Sequence, residues 1–176
     1  MTHQSPTPPL TTLPTKSTWS RDIGFGVLAI IAVAAALALG QLATYPNLAP
    51  WYEGLTKPSF NPPNWIFGPV WTALYAVMAF AVWRILRLPQ ATAARRLALS
   101  LFFLQLALNV AWSWMFFGTN NLLLGVINIV PQFLVILAAV VAFHRLDKIA
   151  GWCLIPLAIW VAFASLLNIA IWQLNA

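Results

Sequence analysis

The sequence predicts an all-α membrane protein, a bundle of five transmembrane helices, and three observations carry that reading. Of 176 residues, 61% are hydrophobic and 7% are charged, with mean hydropathy +0.82. A soluble domain of this size needs more charge to cover its surface, so long uncharged stretches point to a bilayer as the solvent. The apolar stretches also fall into segments near the ~20 residues that cross the hydrocarbon core. Finally, no segment alternates polar and apolar with period two, which disfavours a transmembrane barrel.

Residues 1–18 are rich in Pro, Thr and Ser and are expected to form a disordered tail, leaving 19–176 as the membrane domain. The first span is Ile23–Tyr45, stopped by Pro46. Lys16 and Arg21 before it, and Ala36-Leu37-Ala38 within it, imitate a cleaved signal peptide. The unbroken apolar run to Tyr45 is too long for that. The second span, Ile66–Trp83, is uncharged, with its helix reaching about residue 86. Trp65 and Trp83 at its ends suit the interfacial aromatic belt. Leu97–Ala142 carries no charge and is too long for one crossing. It divides at the turn-forming cluster Gly118-Thr119-Asn120-Asn121 into Leu97–Phe117 and Leu122–Phe143. The last span is Ile149–Leu174.

With five spans, the N-terminus and the 84–96 and 144–148 connections share one side. That side carries Lys16, Arg21, Arg84, Arg87, Arg95, Arg96, Arg145 and Lys148, against Lys57 alone on the other. The positive-inside rule then places the N-terminus inside and the C-terminus outside. Because basic residues occur only between apolar runs, the net charge of +6 reads as membrane anchoring and not as a nucleic-acid surface. The four arginines of 84–96 would attract anionic lipid at about 1 kcal/mol each.

The carboxylates, Asp22, Glu53 and Asp147, are expected outside the spans, which argues against an ion-coupled pump. A single Cys153 excludes an internal disulfide and a cysteine metal cluster. No phosphate-binding loop, HExxH or paired catalytic carboxylates occur. His144 beside Arg145 reads as an interfacial residue.

The interior instead holds aromatic rings and amides. Phe67, Trp71 and Tyr75 recur every four residues along one face of the second helix. Asn109, Trp112 and Phe116 form a row on the third, with Gln105 a turn earlier. Asn128 and Gln132 share a face of the fourth, next to Pro131, which loosens its backbone. Trp160, Ala164, Leu167 and Asn168 share a face of the fifth. Amides that bridge helices explain Gln105, Asn128, Gln132 and Asn168 without any ligand. Indoles hold helices apart, however, whereas tight membrane packing favours small residues. The pattern therefore leaves two readings open: ordinary packing, or a cavity for a flat apolar ligand. Small residues at Ala32, Ala36 and Gly40, or at Ala107 and Ala111, would allow close contact between two protomers.

The segment 51–65 contains three prolines between aromatic residues, so it is stiff and suits a cover over one end of the bundle. From Trp51 to Tyr75 it reads W-Y-x-x-L-x-K-P-x-F-N-P-P-x-W-x-F-G-P-x-W-x-x-L-Y, which resembles the signature of the TspO/MBR family of tryptophan-rich sensory and translocator proteins. Residues 109–118, N-V-A-W-S-W-M-F-F-G, resemble the family's third helix. Pro156 to Trp160, with Phe163-Ala164 and Leu167-Asn168, resembles its fifth.

The resemblance covers about residues 23–175 and implies a five-helix bundle of the TspO/MBR type, a homodimer, and a pocket beneath the first loop. It implies a receptor or sensor for porphyrins such as protoporphyrin IX and haem, and for other flat hydrophobic molecules, linked to tetrapyrrole metabolism or stress. Translocation of such molecules is the alternative. By motif position the pocket would use Tyr52, Pro62, Phe67, Trp71, Tyr75, Asn109, Trp112, Trp160, Ala164 and Leu167. The tryptophans matching Trp71 and Trp160 are tied in some members to light-dependent porphyrin degradation. No cofactor is required; porphyrin or haem enters as ligand. Leu157 departs from the family's usual Tyr. Ile169 and Gln173 stand where the sterol consensus needs Tyr and a basic residue, so strong sterol binding is not implied.

Overall fold

The computed structural model describes residues 16–89 and 92–176, with side chains from Trp19 onward. Five long helices account for the architecture: α1 Lys16–Thr44, α2 Asn64–Leu86, α3 Ala93–Ser113, α4 Leu122–Leu146 and α5 Lys148–Asn175. A 3-10 turn at Tyr45–Asn47 and a π-helical turn at Leu48–Tyr52 lead α1 into its connection to α2. A second π turn, Trp114–Gly118, extends α3. All five helices are long and apolar enough to cross a membrane.

The helices exceed the apolar spans because hydropathy finds the part in hydrocarbon, whereas caps decide where a helix ends. α1 is described from Lys16, so residues 16–18 fall in its first turn; the rest of the tail expected at 1–18 lies outside the described residues. Asp22, expected outside a span, is inside this helix. α3 starts at Ala93 because the Thr92 side chain accepts a hydrogen bond from the Arg95 N–H at 3.2 Å. Asn121 caps α4 by accepting from Leu124 N–H, and Asp147 caps α5 by accepting from Ile149 and Ala150. The α3–α4 turn contains Asn120 at φ 52°, a left-handed conformation that Asn tolerates better than most residues. Pro131 leaves α4 continuous.

Packing places α1 between α2 and α3, α5 between α2 and α4, and α3 against α4. Around the bundle the order is therefore α1, α2, α5, α4, α3, a ring that returns to α1. α4 and α5 form the closest pair. At Gly151 a Cβ would lie 2.6 Å from the His144 Cα, so only glycine permits this approach. Ala36 and Gly40 are buried inside the same bundle, where a Gly40 Cβ would meet Ser113 Oγ at 3.2 Å. That stripe seats α1 on α3, and Ala36 and Gly40 are not available to a second protomer.

The arginine-rich end is tied by two ion pairs. Arg84 reaches Asp147 at 2.8 Å, and Arg87 reaches Asp22 at 2.8 Å. Trp83 donates its indole N–H to the Asp22 carbonyl, and Arg95 donates to the Leu86 and Leu88 carbonyls at the end of α2. At Asp147, burial works against ionisation. The hydrogen bond and charge of Arg84, with the Ala150 and Ile149 N–H groups, outweigh it and hold the carboxyl below its ordinary range.

Candidate ligand-binding cavity

Five helices in a ring leave a hollow wherever their inward side chains are too large to interdigitate. Toward the end away from the arginines, beneath the 45–65 connection, lies a cavity of about 310 Å³, within the range of small-molecule sites. Tyr52 lines it from the connection, and Phe67, Trp71 and Tyr75 line it from α2. Asn109 and Trp112 come from α3, and Trp160, Ala164 and Leu167 from α5. These are nine of the ten residues expected there from sequence. Pro62 is not in the lining; its carbonyl accepts from the Asn61 side chain at 2.9 Å within the connection.

The walls are held by polar contacts between helices. Tyr75 OH donates to Asn109 Oδ1, joining α2 to α3. Trp112 Nε1 donates to Asn168 Oδ1 at 3.0 Å, and Asn168 Nδ2 donates to the Leu122 carbonyl at 3.3 Å, joining α3, α4 and α5. Such bonds are worth about 0.6 kcal/mol each within a bilayer, so their main effect is to fix ring orientation. Trp112 stacks on Phe116 at 4.9 Å and 18°. Phe67 meets Trp160 edge-on at 5.8 Å, and Trp71 leans on Tyr75 at 5.7 Å.

The connection is fastened over this cavity. Trp51 packs edge-on against Phe116 at 5.5 Å and Phe117 at 6.0 Å. Lys57 Nζ stands 4.7 Å above the Tyr52 ring and donates to the Glu53 and Leu55 carbonyls. Asn175, at the end of α5, makes a reciprocal pair with Thr56: the Thr56 N–H donates to Asn175 Oδ1, and Asn175 Nδ2 donates to the Thr56 carbonyl, both at 2.9 Å.

The four amides that helix packing alone would explain divide. Gln132 and Asn168 line the cavity. Gln105 and Asn128 do not; their side-chain N–H groups point to Met78 Sδ and Met115 Sδ at 3.5 Å, as helix packing predicts. Sequence reasoning missed the contribution of α1, where Leu37, Gly40 and Gln41 complete the wall. α1 is apolar all round, so no inward face stood out. Gln41, a polar residue in that apolar run, was the available signal.

The titratable groups of the lining are tyrosines; the rest of its polarity is neutral amide, hydroxyl and indole. No group of three or more His, Cys, Asp or Glu that could hold a metal occurs among the described residues. Flat aromatic walls with a few neutral hydrogen-bonding groups can sandwich and orient an apolar, planar molecule.

Comparison with known proteins gives the family. Residues 27–173 match the model of the TspO/MBR family. The chain is 39% identical over 148 residues to the tryptophan-rich protein TspO of Chlorobaculum tepidum, covering 82% of this chain and 94% of that one. It is 36% identical over 160 residues to the human translocator protein, covering 89% and 91%. The tryptophan-rich sensory protein of Cereibacter sphaeroides is 35% identical over 125 residues, covering 71% and 77%. Five apolar helices in this ring, the tryptophan-rich hollow they surround and a family match across nearly all of the helical region place this chain in the TspO/MBR family, as a multi-pass membrane protein.

Proposed function

We propose that this protein is a membrane receptor or sensor that binds a flat hydrophobic ligand of the porphyrin class in the cavity beneath the α1–α2 connection. The observation that carries the reading is the convergence of Trp71, Trp112 and Trp160 from three helices on one hollow, with Asn109, Gln132 and Asn168 beside them. Large rings stabilise a planar guest by about 0.5–1.5 kcal/mol per well-placed pair beyond burial alone. The sensory and translocator names of the relatives are in keeping with a small-molecule role at the membrane.

On this reading the N-terminus lies inside and the C-terminus outside, supported by the concentration of basic residues at the Arg84–Arg87 end. Self-association through a face other than Ala36 and Gly40 accompanies it.

Titration of the purified protein with protoporphyrin IX in darkness, followed by tryptophan emission, tests the binding. Saturable quenching in the wild type, weakened about tenfold or more in Trp71→Ala and Trp160→Ala, is expected. Identical curves for all three proteins would remove the cavity as the site. The same samples under illumination test whether the lining indoles Trp71 and Trp160 support pigment loss, and flux across reconstituted liposomes tests translocation.

A further inference from the structure

A second hollow lies on the outside of the bundle, between α1 and α2. Gly26, Ile30, Val33, Ala34 and Leu37 of α1 face Tyr75, Ala76, Ala79, Phe80 and Trp83 of α2 around about 470 Å³. Small residues form its floor: Ala34 and Ala76 are exposed, and a Gly26 Cβ would meet only the Trp83 indole, at 3.5 Å. Ile30 and Phe80 form an exposed rim. Apart from the Tyr75 hydroxyl, which is engaged with Asn109, and the Trp83 indole N–H, which is engaged with Asp22, the lining is hydrocarbon and backbone.

The groove runs along α1 and α2. From Gly26 to Leu37 along α1 it runs roughly 16 Å at 1.5 Å per residue, about one leaflet of a hydrocarbon core ~30 Å thick. One end stops part-way along the two helices, against Leu37 and Tyr75, which also line the ligand cavity. The other end stops at Phe80 and Trp83, whose rings lie 5.7 Å apart. Each carries a guanidinium: Arg84 stands 5.8 Å from the Phe80 centroid and Arg87 stands 4.4 Å from that of Trp83. At this end of the bundle seven basic residues, Arg21, Arg84, Arg87, Arg95, Arg96, Arg145 and Lys148, stand against two carboxylates, Asp22 and Asp147, so among the described side chains the end is electropositive despite its two ion pairs.

We propose that this groove is a specific site for an anionic phospholipid, with one acyl chain lying between α1 and α2 and the headgroup phosphate at Arg87 and Arg84. The apolar length matches one leaflet, and the charge stands at the end where a headgroup must be. A lipid held there forms the outer side of a wall whose inner side is the ligand cavity, with Leu37 and Tyr75 between them. The site is independent of what the cavity binds.

The test is native mass spectrometry of the full chain released from detergent containing equal amounts of dioleoyl-phosphatidylglycerol and dioleoyl-phosphatidylcholine. One retained phosphatidylglycerol per protomer is expected. Ala34→Leu and Ala76→Leu fill the groove from exposed positions without touching the core, and should lower retention about tenfold. Arg87→Gln should weaken phosphatidylglycerol retention selectively, whereas Asp22→Asn breaks the same ion pair and should strengthen it. A purely structural role for the pair would move both variants in the same direction, and that result overturns the headgroup assignment. Equal retention of the two lipids, or unchanged retention in the filled variants, overturns the site. Loss of a dimer in place of lipid in the filled variants would assign the groove to a second copy of this chain and likewise overturns it.

Discussion

Gly125 of α4 is the most demanding packing position beside the cavity, and Gly125→Ala tests whether the aromatic wall is as rigid as its contacts imply. A Cβ there would lie 2.6 Å from Phe116 Cδ2 and 2.9 Å from Asn168 Oδ1. Ordinary carbon contacts are 3.5–4.0 Å, so the Phe116 ring must recede by about 1 Å. It has little room to do so. Phe116 is 2% exposed, stacked on Trp112 at 4.9 Å, and met by Phe117 at 4.8 Å and Trp51 at 5.5 Å.

Forcing a methyl into such a site costs about 1–3 kcal/mol, partly offset by the better helix propensity of Ala, about 1 kcal/mol. The net loss is then up to about 2 kcal/mol, and at roughly 2–4 °C per kcal/mol for a chain of this size the melting temperature should fall by up to about 8 °C, with Gly24→Ala unchanged or slightly raised. Displacement of Asn168 also strains its bond from Trp112, so the cavity should lose ligand affinity as well. Thermal unfolding in detergent, followed by tryptophan emission, reads the first effect, and the porphyrin titration reads the second. Gly24→Ala is the control: nothing lies within 4 Å of its Cβ, so only the propensity gain remains. If Gly125→Ala melts with the wild type and binds equally well, the wall is compliant and the packing argument is wrong.

Other outcomes follow from the same geometry. Gly151→Ala drives a Cβ to 2.6 Å from the His144 backbone, which cannot rotate away, and should be harsher than Gly125→Ala in the same melting assay. Asn175→Ala removes both bonds to Thr56; amide hydrogen exchange at Thr56 should quicken and bound ligand should leave faster, and unchanged exchange would show that the connection does not depend on this latch. Asp147→Asn keeps an N-cap of similar strength but removes the charge beside Arg84. Because the Asp147 carboxyl is held below its ordinary value of about 3.9, its contribution is present above that value and is lost as pH falls through the lowered one. The difference in melting between wild type and Asp147→Asn should therefore shrink below about pH 4; a constant difference down to strong acid would refute the linkage.

What the sequence determined was local. Transfer of an apolar helix into hydrocarbon depends on its own side chains, so the five spans, the turn at Gly118–Asn121 and the caps at Thr92, Asn121 and Asp147 were all legible or latent in short windows of the chain. The inward rows of α2, α3 and α5 were legible too, because a large ring repeated at helical spacing marks a face whatever it faces. Tertiary structure alone decided the rest. The same amide chemistry sends Gln132 into the cavity and Gln105 toward Met78, and only the ring order α1, α2, α5, α4, α3 separates them. α1, apolar nearly all round, offered only Gln41 and a stripe of small residues, which do not say by themselves which side meets Ser113, which lines the cavity and which forms the outer groove. Likewise Gly125 and Gly151 look alike among helical residues until the neighbouring helix arrives at 2.6 Å. In a bilayer, where lipid and protein interiors are equally apolar, hydrophobicity says that a helix spans the membrane but not which face it turns inward; shape complementarity between helices distant in sequence makes that choice.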